Sequence, residues 1–194
     1  GAPALYTMSA GSILLPRNTG ISIGPTTSGT FIQTGGSIGS DPASAPSLVT
    51  LGAAAGSSGT YSLSGTGVLR AGGEYVGKSG SATFTQSGGT HDTESTLFLA
   101  YNAGSSATYS LSAGSLNPSA LHVAESGAAT LDVSGSGTLS TGELTLAAQP
   151  GSAATLNLAA GGTIYSGDDL QHQQTTLAAS GSAVASCRSC SVVA

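Results

Sequence analysis

The chain has 194 residues, of which 39% are apolar, only 7% are charged and 30 are Gly, with a formal net charge of -5. Apolar content this high with so little charge argues against disorder, and the four scattered cations Arg17, Arg70, Lys78 and Arg188 cannot neutralise a phosphate backbone or hold an anionic membrane surface. No apolar run approaches the roughly 18 residues that cross a bilayer, so neither a nucleic acid nor membrane insertion is expected. The first residue, Gly1, is neither a Met nor part of a basic leader. A mature or trimmed chain is therefore expected, and near-absence of Lys with Ser and Thr as the dominant polar residues suits a secreted or surface protein whose signal peptide has been removed.

The first element in chain order is a strand at Tyr6-Thr7-Met8-Ser9-Ala10-Gly11-Ser12-Ile13, and Tyr109-Ser110-Leu111-Ser112-Ala113-Gly114-Ser115-Leu116 closely repeats it. Further copies start at Phe31, Tyr61, Phe84, Leu131 and Leu156, at intervals of 25, 30, 23, 25, 22 and 25 residues, a mean period of 25. After a Gly-containing corner one more apolar residue follows in most copies, Ile13, Ile38, Val68, Leu116, Leu139 and Ile164, which marks a second short strand. A third strand reads apolar, variable, apolar, then Gly or Ala. Its copies are Ile21–Gly24, Val49–Gly52, Glu74–Gly77, Leu97–Ala100, Leu121–Ala124 and Leu144–Ala147. From Ile23 onward it advances in steps of 28, 25, 23, 24 and 23 residues, the period of the first motif.

Alternating apolar side chains are the signature of a strand with one buried face. Gly, Ser, Thr and β-branched residues dominate the same segments, and no apolar set recurs at the helical period. The predicted fold is all-β: a right-handed parallel β-helix of about seven turns, with three short strands in each turn of 22–30 residues. The right-handed form is favoured because left-handed β-helices keep a strict six-residue rhythm of about eighteen residues per turn. A leucine-rich repeat would need its Leu/Asn spacing, and a β-sandwich would not give self-similar strands. Residues 1–170 are assigned to the repeats and 171–194 to an atypical C-terminal segment, with Thr176-Leu177-Ala178 as a last degenerate copy.

Two stretches, Gly56-Ser57-Ser58-Gly59-Thr60-Tyr61-Ser62-Leu63-Ser64 and Ala82-Thr83-Phe84-Thr85-Gln86-Ser87-Gly88-Gly89-Thr90-His91, resemble the degenerate β-strand repeats of bacterial autotransporter passengers and of large secreted surface proteins with sorting tails. The resemblance covers about residues 4 to 165. It implies an extracellular β-solenoid, often a scaffold or an adhesin. The chain shows no outer-membrane barrel, so it is not expected to secrete itself.

In a parallel stack the repeats place Tyr6, Phe31, Tyr61, Phe84, Tyr109, Leu131 and Leu156 in one inner row, an aromatic ladder that turns aliphatic. Beside it runs Met8, Gln33, Leu63, Gln86, Leu111, Val133 and Leu158, in which the amides of Gln33 and Gln86 must find partners, most simply backbone carbonyls or a trapped water. A lone turn does not fold; it needs neighbours on both sides. Only four residues precede the first strand, too few for a cap, so the expected partner is another copy of the chain, head to tail.

Site chemistry is sparse. His91, Asp92 and Glu94 carry metal-ligand groups close together, yet His91 aligns with Val68 and Leu116 and is expected to point inward and sit neutral in the stack. No metal or other cofactor is expected. Asp132, Glu143, Asp168 and Asp169 are the carboxylates available for glycoside hydrolysis; without a recurring cluster of acids and bases, catalysis is not expected. Cys187-Arg188-Ser189-Cys190 lacks the βαβ context of a redox motif, so Cys187 and Cys190 are expected to form a local disulfide or a bridge to another subunit. Outward Thr7, Ser62, Thr85, Ser110 and Thr145 form a hydroxyl-bearing surface without a recurring Thr-x-Thr array. The expected function is a structural subunit of an extracellular or cell-surface fibre. The alternative is an adhesin segment that binds glycan or a cell surface through Tyr75, Phe98, Tyr101 and neighbouring loops, and the third reading is a carbohydrate-active β-helix enzyme.

Overall fold

The structure, a computed structural model, describes residues 3–16, 18–40 and 47–167, together with the backbone of strands at 174–177 and 182–187. Its first turn consists of β1 (Ala4–Met8), β2 (Ser12–Leu15) and β3 (Gly20–Ile23). The second is β4 (Ser28–Gln33), β5 (Ser37–Ser40) and β6 (Leu48–Leu51), and the third is β7 (Ser58–Leu63), β8 (Val68–Ala71) and β9 (Gly73–Val76). In the next two turns the three strands fuse into β10 (Ser81–Leu99) and β11 (Ser106–Val123). The sixth is β12 (Ala128–Thr141) with β13 (Glu143–Leu146); β14 (Ala153–Leu158), β15 (Thr163–Ser166) and β16 (Gln174–Leu177) form a seventh, and β17 (Ser182–Cys187) opens another layer.

Among the described residues all the strand pairs are parallel and join successive turns, so three ladders run along one axis. The first face stacks β1, β4, β7, β10, β11, β12, β14 and β17. The second stacks β2, β5, β8, β10, β11, β12 and β15. The third stacks β3, β6, β9, β10, β11, β13 and β16. This is the expected all-β solenoid, and among the described residues every regular element is a strand. In β10 the register shifts at Gln86/Ser87, Ser87/Thr90 and Thr93/Thr96 let one strand pass from face to face.

Alternation decides what lies inside. In β7, Gly59, Tyr61 and Leu63 are buried while Ser58, Thr60 and Ser62 are partly exposed. The inner aromatic row stacks as expected: centroids lie 4.8 Å apart for Tyr6–Phe31, 5.0 Å for Phe31–Tyr61, 4.8 Å for Tyr61–Phe84 and 4.6 Å for Phe84–Tyr109. These are the spacings of the hydrogen-bonded strands themselves. The register then carries the row on to Leu131 and Leu156.

The second face differs from expectation by one residue. Leu69, not Val68, pairs with both Ile38 and His91, and Leu69 is fully buried whereas Val68 is not. Both residues are apolar, so alternation alone cannot choose between them; the corner length does.

A second difference lies on the outer first face. Thr30, Thr60, Thr83, Thr108, Thr130 and Thr155 stand in register over six turns, a regular threonine rank that the outward residues singled out from sequence do not include. A β-branched side chain suits that pleated, half-buried surface.

The corner after the third strand has one backbone conformation throughout. Gly24, Gly52 and Gly77 have φ of 65°, 59° and 79°, and their counterparts Ala100, Ala124 and Ala147 have 53°, 64° and 55°. The left-handed region costs a side chain roughly 1–2 kcal/mol, which is why the motif ends in the smallest residues. At Gly52 the demand is twofold, since a Cβ there would stand 2.3 Å from the Ser81 carbonyl oxygen. Three of these corners are closed by a buried serine whose hydroxyl donates to the carbonyl three residues earlier: Ser57 to Ala54 at 2.7 Å, Ser105 to Asn102 at 2.6 Å and Ser152 to Gln149 at 2.7 Å.

Candidate functional site

The core is not wholly apolar. Gln33 and Gln86, both fully buried, satisfy their amides in the same way. The Gln33 Nε2 donates to the carbonyls of Gly36 (3.0 Å) and Val68 (3.1 Å), and its Oε1 accepts from the Tyr61 hydroxyl at 2.5 Å. The Gln86 Nε2 donates to Gly89 (3.3 Å) and Ser115 (2.9 Å), and its Oε1 accepts from the Tyr109 hydroxyl at 2.6 Å. Backbone carbonyls are thus the expected partners; the tyrosines are additional. Burial, with Glu74 as a second contribution, pushes both phenols well above their usual range.

His91 points inward, between Leu69 and Leu116 in the ladder. It stacks on Phe84 at 4.7 Å, its Nδ1 lies 2.8 Å from the Tyr109 hydroxyl, and its Nε2 lies 2.6 Å from Glu74 Oε2. Glu74 and His91 side chains are both fully buried. The network fixes the tautomer. Because both Gln86 N–H bonds go to carbonyls, its oxygen must face Tyr109, so the tyrosine proton is spent there and the phenol oxygen accepts from His91 Nδ1–H. The other ring nitrogen, Nε2, is left to share its hydrogen bond with Glu74 Oε2. Glu74 Oε1 has no partner, as is also true of the buried hydroxyls of Ser47 and Thr93.

That arrangement separates the residues considered for metal binding. His91 is inside, whereas Asp92 lies on the outer face, 3.3 Å from Arg70 Nε and accepting from Asn117 at 2.9 Å, and Glu94 is exposed. Among the described residues no cluster of three His, Cys, Asp or Glu converges. Glu74, which sequence reasoning left in the third-strand motif without a role, is the actual partner of His91. The carboxylates considered for hydrolysis are also split: Asp132 is on the first face, accepting from Asn157 at 2.7 Å, and Glu143 on the third. Asp168, Asp169 and Cys190 lie outside the described residues, as does the side chain of Cys187.

The structure does bring Tyr75, Phe98 and Tyr101 together. Tyr75 and Phe98 occupy successive outward positions of the third face, with ring centroids 5.4 Å apart, and Tyr101, from the following corner, meets them edge-on at 4.8 and 4.9 Å. Partial burial, with Tyr101 second, raises the Tyr75 phenol, and Lys78 Nζ lies 5.2 Å from the Tyr75 ring. The next rung carries His122, 5.1 Å from Phe98; its Nδ1 meets Glu125 at 2.5 Å. Below Tyr101 opens a corner groove of about 520 Å³ whose walls include Tyr101, Asn102, Glu125, Gln149 and Pro150.

At the first turn Tyr6 belongs to the inner aromatic row but is 53% exposed, because Phe31 covers it from one side only. Among the described residues β1, β2 and β3 each pair along one edge, with β4, β5 and β6. No family model matches the chain, and neither a curated protein nor a solved structure is found to be similar to it.

Proposed function

We propose that this chain is a structural element of an extracellular or cell-surface fibre, built by end-to-end stacking of solenoid turns. The observation that carries this reading is the stack itself: among the described residues three parallel ladders share one axis, β1, β2 and β3 each pair along one edge, and Tyr6, the outermost ring of the inner row, is half exposed. Unpaired N–H and C=O groups on an edge are a template for another strand, and here three such edges share one axis. A second copy seated there would extend all three ladders. Such a contact is heterologous and does not close, so it propagates. The low charge of the chain and its resemblance to secreted surface-protein repeats support the extracellular setting.

Sedimentation velocity and negative-stain imaging of the purified chain across a wide concentration range test the reading. Rods that lengthen with concentration are expected, and Tyr6→Lys, which sets a cation on the open ring position, is expected to leave single short units. A monodisperse monomer at the highest concentration, or assemblies indifferent to Tyr6→Lys, overturns it.

A further inference from the structure

We propose that the corner groove beside Tyr101 binds an uncharged oligosaccharide. The groove is preformed. Its three stacked corners are tied to one another by backbone bonds, Ser126 N–H to Ala100 at 3.3 Å, Gly127 N–H to Ala100 at 3.1 Å and Ala148 N–H to Ala124 at 3.1 Å, and two of them are closed by Ser105 and Ser152. A site that is rigid before binding loses little on ordering.

Its walls combine two kinds of surface. Tyr101 and Pro150 offer rings for the C–H faces of a pyranose, and the aromatic surface continues from Tyr101 to Phe98 and Tyr75. Between the rings lie planar polar groups already held in place. Glu125 is gripped by His122 at one oxygen and by Gln149 Nε2 at the other (3.4 Å), and Asn102 Nδ2 donates to Ser79 Oγ at 2.8 Å. Each of these bonds uses a donor and leaves acceptor lone pairs on Glu125, and the amide oxygens of Asn102 and Gln149 are acceptors as well. An acceptor-rich site fits a ligand that brings many O–H donors.

The charges select among such ligands. Glu125, with Glu143 lying 3.7 Å from His122 Nε2, makes the surroundings acidic, and Lys78 is already engaged over Tyr75. A polyuronate, a sialylated glycan or a nucleic acid would bring like charge against carboxylates. A neutral sugar meets no such opposition.

Isothermal titration of the full chain with cellohexaose, xylohexaose and mannohexaose, and with hexagalacturonate as the anionic counterpart, tests the proposal. At least one neutral hexasaccharide is expected to bind, and hexagalacturonate is not. Tyr101→Ala is expected to weaken binding about tenfold or more, as loss of a central ring does, with Gln149→Ala as a second variant remote from the core. Thr108→Ala, on another face, is expected to change nothing, and the assembly-blocked Tyr6→Lys chain should bind as the parent does. The proposal fails if none of the three neutral sugars binds, if hexagalacturonate binds as tightly, or if both Tyr101→Ala and Gln149→Ala leave affinity intact.

Discussion

The interior pair of Glu74 and His91 shows how a residue's row and its partner differ in legibility. Glu74 stands where Ile21, Val49, Leu97, Leu121 and Leu144 stand in other turns, so its inward direction can be read from the repeat. Its partner cannot, because His91 lies 17 residues on and on a different face, brought near only when the turn closes. Replacing one member of such a pair leaves the other buried and unpaired, at a cost of roughly 3–5 kcal/mol, whereas replacing both by apolar residues is often neutral or stabilising. His91→Leu alone is therefore expected to destabilise by about that amount in urea denaturation. Combined with Glu74→Leu, which restores the residue type of neighbouring turns, it should regain the parent midpoint or exceed it. The buried phenols add an alkaline limit. Tyr61 and Tyr109 hold their protons in the folded state beyond the pH at which an unfolded tyrosine, near 10, releases them. Above about that pH the unfolded chain binds fewer protons, so stability is full below it and falls as pH rises. Absorbance at the tyrosinate band is expected to show these two phenols appearing only with loss of strand circular dichroism.

At the scale of the element, the corners carry more specification than the strands. The Gly or Ala that ends each third strand is plain in the sequence, and the left-handed backbone explains it. Gly52→Ala places a Cβ against the Ser81 carbonyl and adds left-handed strain, so a loss of about 1–3 kcal/mol is expected by thermal denaturation. Ala124→Gly is expected to be near neutral, since relieved strain is offset by a more flexible unfolded chain and a lost buried methyl. Other features resist such reading. Val68 and Leu69 are adjacent and both apolar, and only the register shows that Leu69 faces in. The threonine rank is available in the residue before every member of the inner row but Tyr6, yet alternation marks that position merely as outward; the alignment of six turns makes it a rank.

For the molecule as a whole, a mean period of 25 residues was enough to give the solenoid, because no other arrangement stacks equivalent residues at strand spacing over so many copies. The outer cluster of Tyr75, Phe98 and Tyr101 was nameable in advance. Its groove was not, because Glu125, Gln149 and Pro150 come from later turns, and their placement depends on corner lengths. The same layering governs how the protein would bear load. Adjoining turns meet layer by layer, through parallel ladders, stacked inner side chains and corner bonds, so tension entering at one layer acts first on the contacts of that layer. Each layer that yields releases a loop of about 25 residues, roughly 80–90 Å when drawn straight, in place of an axial rise of about 4.8 Å. A stack of this kind resists until a layer slips and then lengthens in discrete steps set by the 22–30 residues of each turn.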